Sequence, residues 1–354
     1  NPDRPQGKPA DQLMAGGSIP VSTSGSIPGS AKAAPGGGKT AIALRLAAHV
    51  ALGRKLGDRD VERGRVLYFA AENYVDVQAR WIAMAEHMGF DPNAIEVYFV
   101  PGATKLSEIA DQITREAQTI GDLALIVVDT SAATFEGADE NSNTEAMTHA
   151  KRMRSLTELQ GNPTVLLLCH PVKSASNENL LPRGGGALFG ECDGNFCGRK
   201  GDSSVEFHWF GKIRGMDFAP ITFQLNTVTA QRLKDARGRN MPTVLAAPID
   251  DAAKQALTTA ERSDEDIVLR AIDSHPGESS NDMAKRLNWF MRDGKPYGVR
   301  VRRAAKRLGK DGLITEIRGD YVLTANGQRT LNKMEMNRNN PVPAMPPISP
   351  RPGQ

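Results

Sequence analysis

The chain has 354 residues, with 44 Lys and Arg against 41 Asp and Glu and a formal net charge of +3. That length accommodates two domains, and so balanced a charge means that any affinity for nucleic acid rests on local basic patches. No apolar run approaches the ~18 residues of a membrane span and no secretory signal is visible. The three cysteines, Cys169, Cys192 and Cys197, make no disulfide framework, and the expectation is a soluble, cytoplasmic protein without membrane partners. Cys192 and Cys197 lack a second pair, which favours structural thiols over a zinc site. The chain begins at Asn1, which fits a fragment of a longer product.

Residues 1–32 are rich in Pro, Gly and Ser and read as a flexible lead-in, with Ser26 to Lys32 a poor candidate for the apolar strand that precedes a phosphate loop, so the first strand is expected to be weak. The run Ala33-Ala34-Pro35-Gly36-Gly37-Gly38-Lys39-Thr40 follows. It ends as a phosphate-binding loop ends, in Gly-Lys-Thr. Consecutive glycines let backbone N–H groups crowd round an anion. Lys39 places a cation at the β- and γ-phosphates, and the Thr40 hydroxyl suits Mg²⁺. Thr40 to Val50 is Ala/Leu-rich, with Ile42, Leu46 and Val50 on one face and Gly53 as a stop, so this helix aims its N-terminal end at the phosphates. Ala33, Pro35, Gly36, Gly37, Gly38, Lys39, Thr40 and Ala41 are the expected nucleotide-binding residues. Ala33 stands where the motif has its first Gly, and a required positive φ there would cost about 1–2 kcal/mol.

Short apolar runs then alternate with helical patterns. Val66 to Phe69 predicts a strand, and Val75 to Met88 a helix. Ile95 to Val100 predicts a strand and Leu106 to Gln118 a helix. Leu125 to Val128 predicts a strand and Asn143 to Leu159 a longer helix. Thr164 to Leu168 predicts a strand ending at Cys169-His170. Such buried runs between helices indicate a mostly parallel sheet covered on both faces. Val205 to Phe210 and Ile221 to Leu225 read as closing, antiparallel strands. The domain division is therefore 33–230 for an α/β nucleotide-binding core, 231–261 for a polar linker, 262–331 for a second domain and 332–354 for a disordered tail.

Three polar residues sit at strand ends. Asp129 ends Leu125 to Val128, where a P-loop ATPase holds its metal; a turn-forming Asp is the plainer alternative. Glu72, just past Phe69, suits a general base for an attacking water, or a helix-capping acid. His170 suits a detector of the γ-phosphate, although a lone His is usually structural.

In the second domain, Ile267, Ala271 and Ile272 mark one helix, Ser280 to Leu287 a second, and Val301, Ala305 and Leu308 a third. Leu313 to Ile317 and Tyr321 to Leu323 flank Arg318-Gly319-Asp320 as a hairpin. Three helices and a hairpin describe a winged helix-turn-helix. Arg300, Arg302, Arg303, Lys306, Arg307 and Lys310 crowd the third helix, the arrangement that enters a major groove. Arg318 would add a phosphate or minor-groove contact. Protein contact with solvated basic residues is the alternative.

The order and spacing of Ala33 to Thr40, Tyr68-Phe69-Ala70-Ala71-Glu72, Leu125 to Thr130 and Asp139-Glu140-Asn141-Ser142 resemble the RecA-like ATPases of the plasmid RepA replicative-helicase group, over roughly residues 30–228. The resemblance implies a RecA-type core that hydrolyses ATP with Mg²⁺ and works as a ring, often a hexamer, on single-stranded DNA. It implies Lys39 and Thr40 as nucleotide and metal contacts, Asp129 as the Walker B acid, Glu72 as base and His170 as sensor. Leu181 to Leu188, with Arg183, resembles the family's DNA-facing loop. Gly211-Lys212-Ile213-Arg214 resembles the Lys-x-Arg element that reaches a neighbouring subunit's nucleotide, so Lys212 and Arg214 act only in an assembled ring. A nucleotide-switched DNA-binding regulator without helicase activity remains a second expectation. A small-molecule kinase is disfavoured, since no lid or acceptor site is apparent.

Overall fold

A computed structural model describes residues 29–33, 37–102, 115, 119–171, 185–201, 204–213, 219–291, 293–317 and 319–339. The chain divides into two units, one up to Asp250 and one from Asp251.

The first unit is built on one nine-stranded sheet. Its strands are β1 (Gly29–Ala33), β2 (Arg65–Ala70), β3 (Val97–Pro101), β4 (Leu123–Asp129), β5 (Thr164–Cys169), β6 (Gly194–Lys200), β7 (Ser204–Ile213), β8 (Ile221–Lys234) and β9 (Asn240–Ile249). Their order is β3-β2-β4-β5-β1-β6-β7-β8-β9. From β3 to β6 every neighbour pair is parallel, and from β6 to β9 every pair is antiparallel. Helices α1 (Lys39–Leu52), α2 (Tyr74–Met88), α3 (Asn143–Ser155) and α4 (Gly185–Glu191) connect the parallel part. This is an α/β architecture whose parallel strands lie between helices.

The unbroken apolar runs follow from burial on both sheet faces. Alternate residues face opposite ways along a strand. Val66, Tyr68, Val127 and Leu168 pack with Ala43, Leu44 and Met84 of α1 and α2 in one core. Leu67, Phe69, Ile126 and Leu167 pack with Ala150 and Met153 of α3 in the other.

Several expectations require correction. The flexible lead-in expected over 1–32 is corrected at its end: Gly29–Ala33 forms β1, a short strand paired on both sides, between β5 and β6, with Ala31 opposite both Leu168 and Phe196. Gly, Ser and Ala bring little apolar surface, so pairing on both sides, invisible to periodicity, places this strand. β6 likewise lies in a Gly- and Cys-bearing stretch that gave no strand signal. Residues 231–261 are not a linker. They hold the end of β8, a turn in which Asp235 accepts from the Arg237 and Arg239 N–H groups, β9, and the start of a long helix. Their polarity reflects a half-exposed hairpin. The expected helix from Leu106 to Gln118 falls largely outside the described residues.

The second unit comprises α5 (Asp251–Ser274), α6 (Ser280–Arg286), α7 (Gly298–Lys310), the antiparallel hairpin of β10 (Ile314–Ile317) and β11 (Asp320–Leu323), and α8 (Ala325–Asn339). Its own core gathers Leu269, Ile272, Met283, Val301, Leu308 and Leu331. The disordered tail expected from 332 is corrected in part, because Leu331 and Met334 anchor α8 on this core and carry the helix to Asn339.

Gly161, in the turn before β5, has φ +92°, and a Cβ there would lie 2.4 Å from the Leu123 carbonyl oxygen. Left-handed backbone and overpacking each cost an L side chain on the order of 1–3 kcal/mol. Gly161→Ala is therefore expected to lower the stability of the first unit by about 2–4 kcal/mol in urea unfolding; an unchanged midpoint would contradict the packing described.

Candidate functional site

The carboxyl ends of β1, β2, β4 and β5 lie on one side of the sheet, and the loops that leave them meet in one cleft. In open α/β sheets this is where ligands bind. Its volume is about 310 Å³, open to solvent, and its walls include Gly37, Gly38, Lys39, Thr40, Glu72, Asp129, Thr130 and His170.

Ala33 is the last residue of β1, opposite Gly198. Extended backbone has negative φ, so alanine is compatible with this place and the missing glycine carries no backbone penalty. Gly38 caps α1 in the left-handed region, φ 78°. A Cβ there would also come within 2.8 Å of the Leu225 side chain, whose methyls would have to shift, and the left-handed backbone itself favours glycine. α1 then starts at Lys39, and its first-turn N–H groups face the cleft end, as an anion site requires. Ala41 is fully buried behind them.

Lys39 is almost entirely buried. Burial lowers its ammonium from the ordinary value, opposed by the nearby charges of Asp129, Glu72 and Cys169. Asp129 is 3 % exposed. Burial raises its carboxyl, opposed by hydrogen bonds from the hydroxyls of Tyr68 and Thr40; Glu72 adds to the rise and Lys39 opposes it. The Tyr68 hydroxyl donates to Asp129 Oδ2 at 2.8 Å. The Asp129 backbone carbonyl accepts from the N–H groups of Ala71 and Glu72, at 2.8 and 3.2 Å. The end of β2 is thereby fastened to the end of β4. Glu72 keeps a half-exposed side chain, with Oε2 3.5 Å from His170 Nε2. All five polar residues expected at the strand ends and loop thus converge: Lys39, Thr40, Glu72, Asp129 and His170.

The donor set fits a magnesium-bound triphosphate. A buried ammonium, a hydroxyl joined to a buried carboxylate, and helix N–H groups together match a polyanion and a hard cation. Thr130 adds a signal that the sequence motifs did not supply. Its Oγ1 is buried in the cleft wall and has no hydrogen-bond partner among the described residues. Buried polar atoms are rarely left so, and an oxygen-rich ligand or its water would satisfy it. The cleft also runs on along α2 past Asn73, Asp76, Val77 and Arg80. Asn73 caps α2 by accepting from the Asp76 N–H. Arg80 donates to Asp76 at 2.7 Å and to the Val244 carbonyl at 2.7 Å. Nothing in the motif spacing marks this wall.

Pro35, Gly36, Arg183, Arg214 and Arg318 lie outside the described residues, as does the side chain of Lys212. Within α7 the six basic residues separate. Arg300 makes a two-pronged ion pair with Asp264 at 2.6 and 2.7 Å, and its guanidinium stacks 4.1 Å above the Trp289 ring. Arg307 pairs with Glu265. Expected as DNA contacts, these two tie α7 to α5 instead, because apolar Val301, Ala304, Ala305 and Leu308 turn their side of the helix inward. Arg302, Arg303, Lys306 and Lys310 are exposed.

Residues 26–176 match the family model of an AAA domain. The match spans β1 to the residues just after β5, the strands whose ends build the cleft. This part of the chain is thus similar to P-loop ATPase-type domains, whose chemistry is nucleotide binding and hydrolysis. No curated protein matches the chain. Among the described residues no helix is long and apolar enough to cross a membrane.

Tyr68→Phe removes one of the two hydroxyl donors to the buried Asp129 carboxylate. A hydrogen bond to a charged group is worth about 1.5–3 kcal/mol, and a stability loss of that size is expected in urea unfolding. A variant as stable as the wild type would contradict the assignment of Tyr68 as a support of Asp129.

Proposed function

We propose that this chain is an ATP-hydrolysing, DNA-associated protein of the RepA replicative-helicase type. The observation that carries the ATPase reading is the meeting of Lys39, Thr40, Glu72, Asp129 and His170 at one cleft. In this reading Thr40 and Asp129 hold Mg²⁺, which when bound neutralises phosphate charge. Lys39 and the first N–H groups of α1 bind the β- and γ-phosphates. Glu72 takes a proton from water as its oxygen bonds the γ-phosphorus. The bond from that phosphorus to the bridging oxygen breaks, and ADP leaves. His170, beside Glu72, orients that carboxylate and senses the γ-phosphate.

The DNA reading rests on different residues. Three helices followed by a hairpin support a winged helix, with α7 as its recognition helix. Arg302, Arg303, Lys306 and Lys310 form the exposed basic face that would meet duplex DNA. Single-stranded DNA would run by the loop that holds Arg183. Lys212 and Arg214 would complete a neighbour's site in a homo-oligomeric ring, as the RepA resemblance implies.

The test is ATP turnover with and without single-stranded DNA. DNA-stimulated hydrolysis is expected in the wild type. Lys39→Ala should lose nucleotide binding, and Glu72→Gln should bind ATP but turn over about 100-fold more slowly, as for loss of a general base. Binding without turnover in the wild type would favour the nucleotide-switched regulator. Arg302→Ala/Arg303→Ala should weaken duplex binding and reduce its salt dependence while ATPase persists; an unchanged duplex affinity would remove α7 from the DNA.

A further inference from the structure

A second polar contact lies behind the cleft, and the ATPase reading does not use it. Two residues past Asp129, the Ser131 side chain meets His149 of α3, with Oγ and Nε2 3.0 Å apart. Both residues are more than nine-tenths buried. The His149 ring packs on Phe135 with centroids 5.2 Å apart. Its Nδ1 has no hydrogen-bond partner among the described residues. Burial pushes the imidazole down to about 4, with Glu136 raising it and Arg152 lowering it further, so the ring is neutral and one nitrogen donates while the other accepts.

Ser131 is a junction. Its backbone N–H donates to the Leu168 carbonyl at 2.8 Å, two residues before His170. Its own carbonyl accepts from the Thr134 hydroxyl at 3.1 Å. One residue therefore joins the turn after β4, the end of β5 and, through its side chain, α3. A small cavity adjoins the contact, lined among others by Ser131, Phe135, Glu140, His149, His170 and Leu188. His170 thus has the nucleotide cleft on one side and this cavity on the other.

A purely structural account is weak. A neutral, half-satisfied imidazole in this place is a costly way to fill core volume, since each unpaired buried polar atom costs about 1–3 kcal/mol. A Leu or Phe on α3 would fill the space without that cost.

We propose that His149 is a positioning residue of the ATPase: by holding Ser131 it fixes the strand-end turns that carry Asp129 and His170, and so couples α3 to the nucleotide site. The proposal rests on the ATPase reading of the cleft. His149 touches no reacting atom, so its loss should leave nucleotide affinity nearly intact and slow the chemical step, because small misplacements of catalytic groups cost rate steeply.

The test compares His149→Ala, Ser131→Ala and their combination with His149→Gln, whose amide can replace Nε2. Each alanine variant is expected to lower kcat about 10-fold with KM for ATP changed less than about twofold. The double variant should be no slower than the worse single one, as for two halves of one contact, and His149→Gln should regain most of the rate. A kcat within twofold of wild type in both single variants, or losses that multiply in the double, would overturn the proposal. Amide hydrogen exchange supplies a readout that needs no turnover. Exchange of the backbone amide at position 131 should quicken at least about 10-fold in either alanine variant while α1 stays protected; unchanged exchange at that amide would overturn the positioning role even in a wild type that does not hydrolyse ATP. Absence of wild-type turnover with quickened exchange would sink the ATPase reading and with it the catalytic half of the proposal.

Discussion

A buried carboxylate at the end of a central strand organises the first unit. Asp129 is shielded from water, and an unsupported charge in that position is strongly disfavoured. The protein supports it with three side chains from two elements. Tyr68 of β2 and Thr40 of α1 donate hydroxyl hydrogen bonds to its side chain, and Lys39 adds a nearby cation. Its backbone carbonyl in turn holds the N–H groups of Ala71 and Glu72. Placement of the Gly-Lys-Thr segment, the end of β4 and the end of β2 thus depends on one residue. Moving any of those elements would leave the carboxylate without part of its support.

The antiparallel half of the sheet is bound to the same end of the molecule. Leu225 of β8 lies over Gly38 so closely that a side chain at that position would collide with it. On β9, the carbonyls of Val244 and Ala246 accept from Arg80 of α2 and Arg45 of α1. Within β9 these carbonyls lie two residues apart, on the same edge of the strand, and β9 ends the sheet. Two arginines therefore satisfy backbone groups that would otherwise invite a further strand. The hairpin that sequence polarity disguised as a linker is in this sense part of the cleft's scaffold.

Much of this was legible. Strands with continuous apolar runs, such as Leu125 to Val128 and Thr164 to Leu168, stood out because burial on both faces leaves no polar alternation. The motif spacing placed Lys39, Thr40, Glu72, Asp129 and His170 correctly at one end of the sheet, since chemistry of this kind needs those residue types at strand ends. What could not be read was whatever depends on neighbours distant in sequence. β1 is held by β5 and β6, not by its own side chains. The contact of Ser131 with His149 spans 18 positions and two elements. Arg300 and Arg307 share a helix and a charge with Arg302 and Arg303, and only the burial of one side of α7 separates ion-pair partners from exposed cations.

The account stands on the claim that the cleft hydrolyses ATP through Asp129. Single-turnover phosphate release at saturating ATP and Mg²⁺, compared between the wild type and Asp129→Asn, tests it most directly. The account predicts release from the wild type and a rate at least about 100-fold lower in the variant, as expected when a group stabilising transition-state charge is lost. Equal release from both proteins would contradict it.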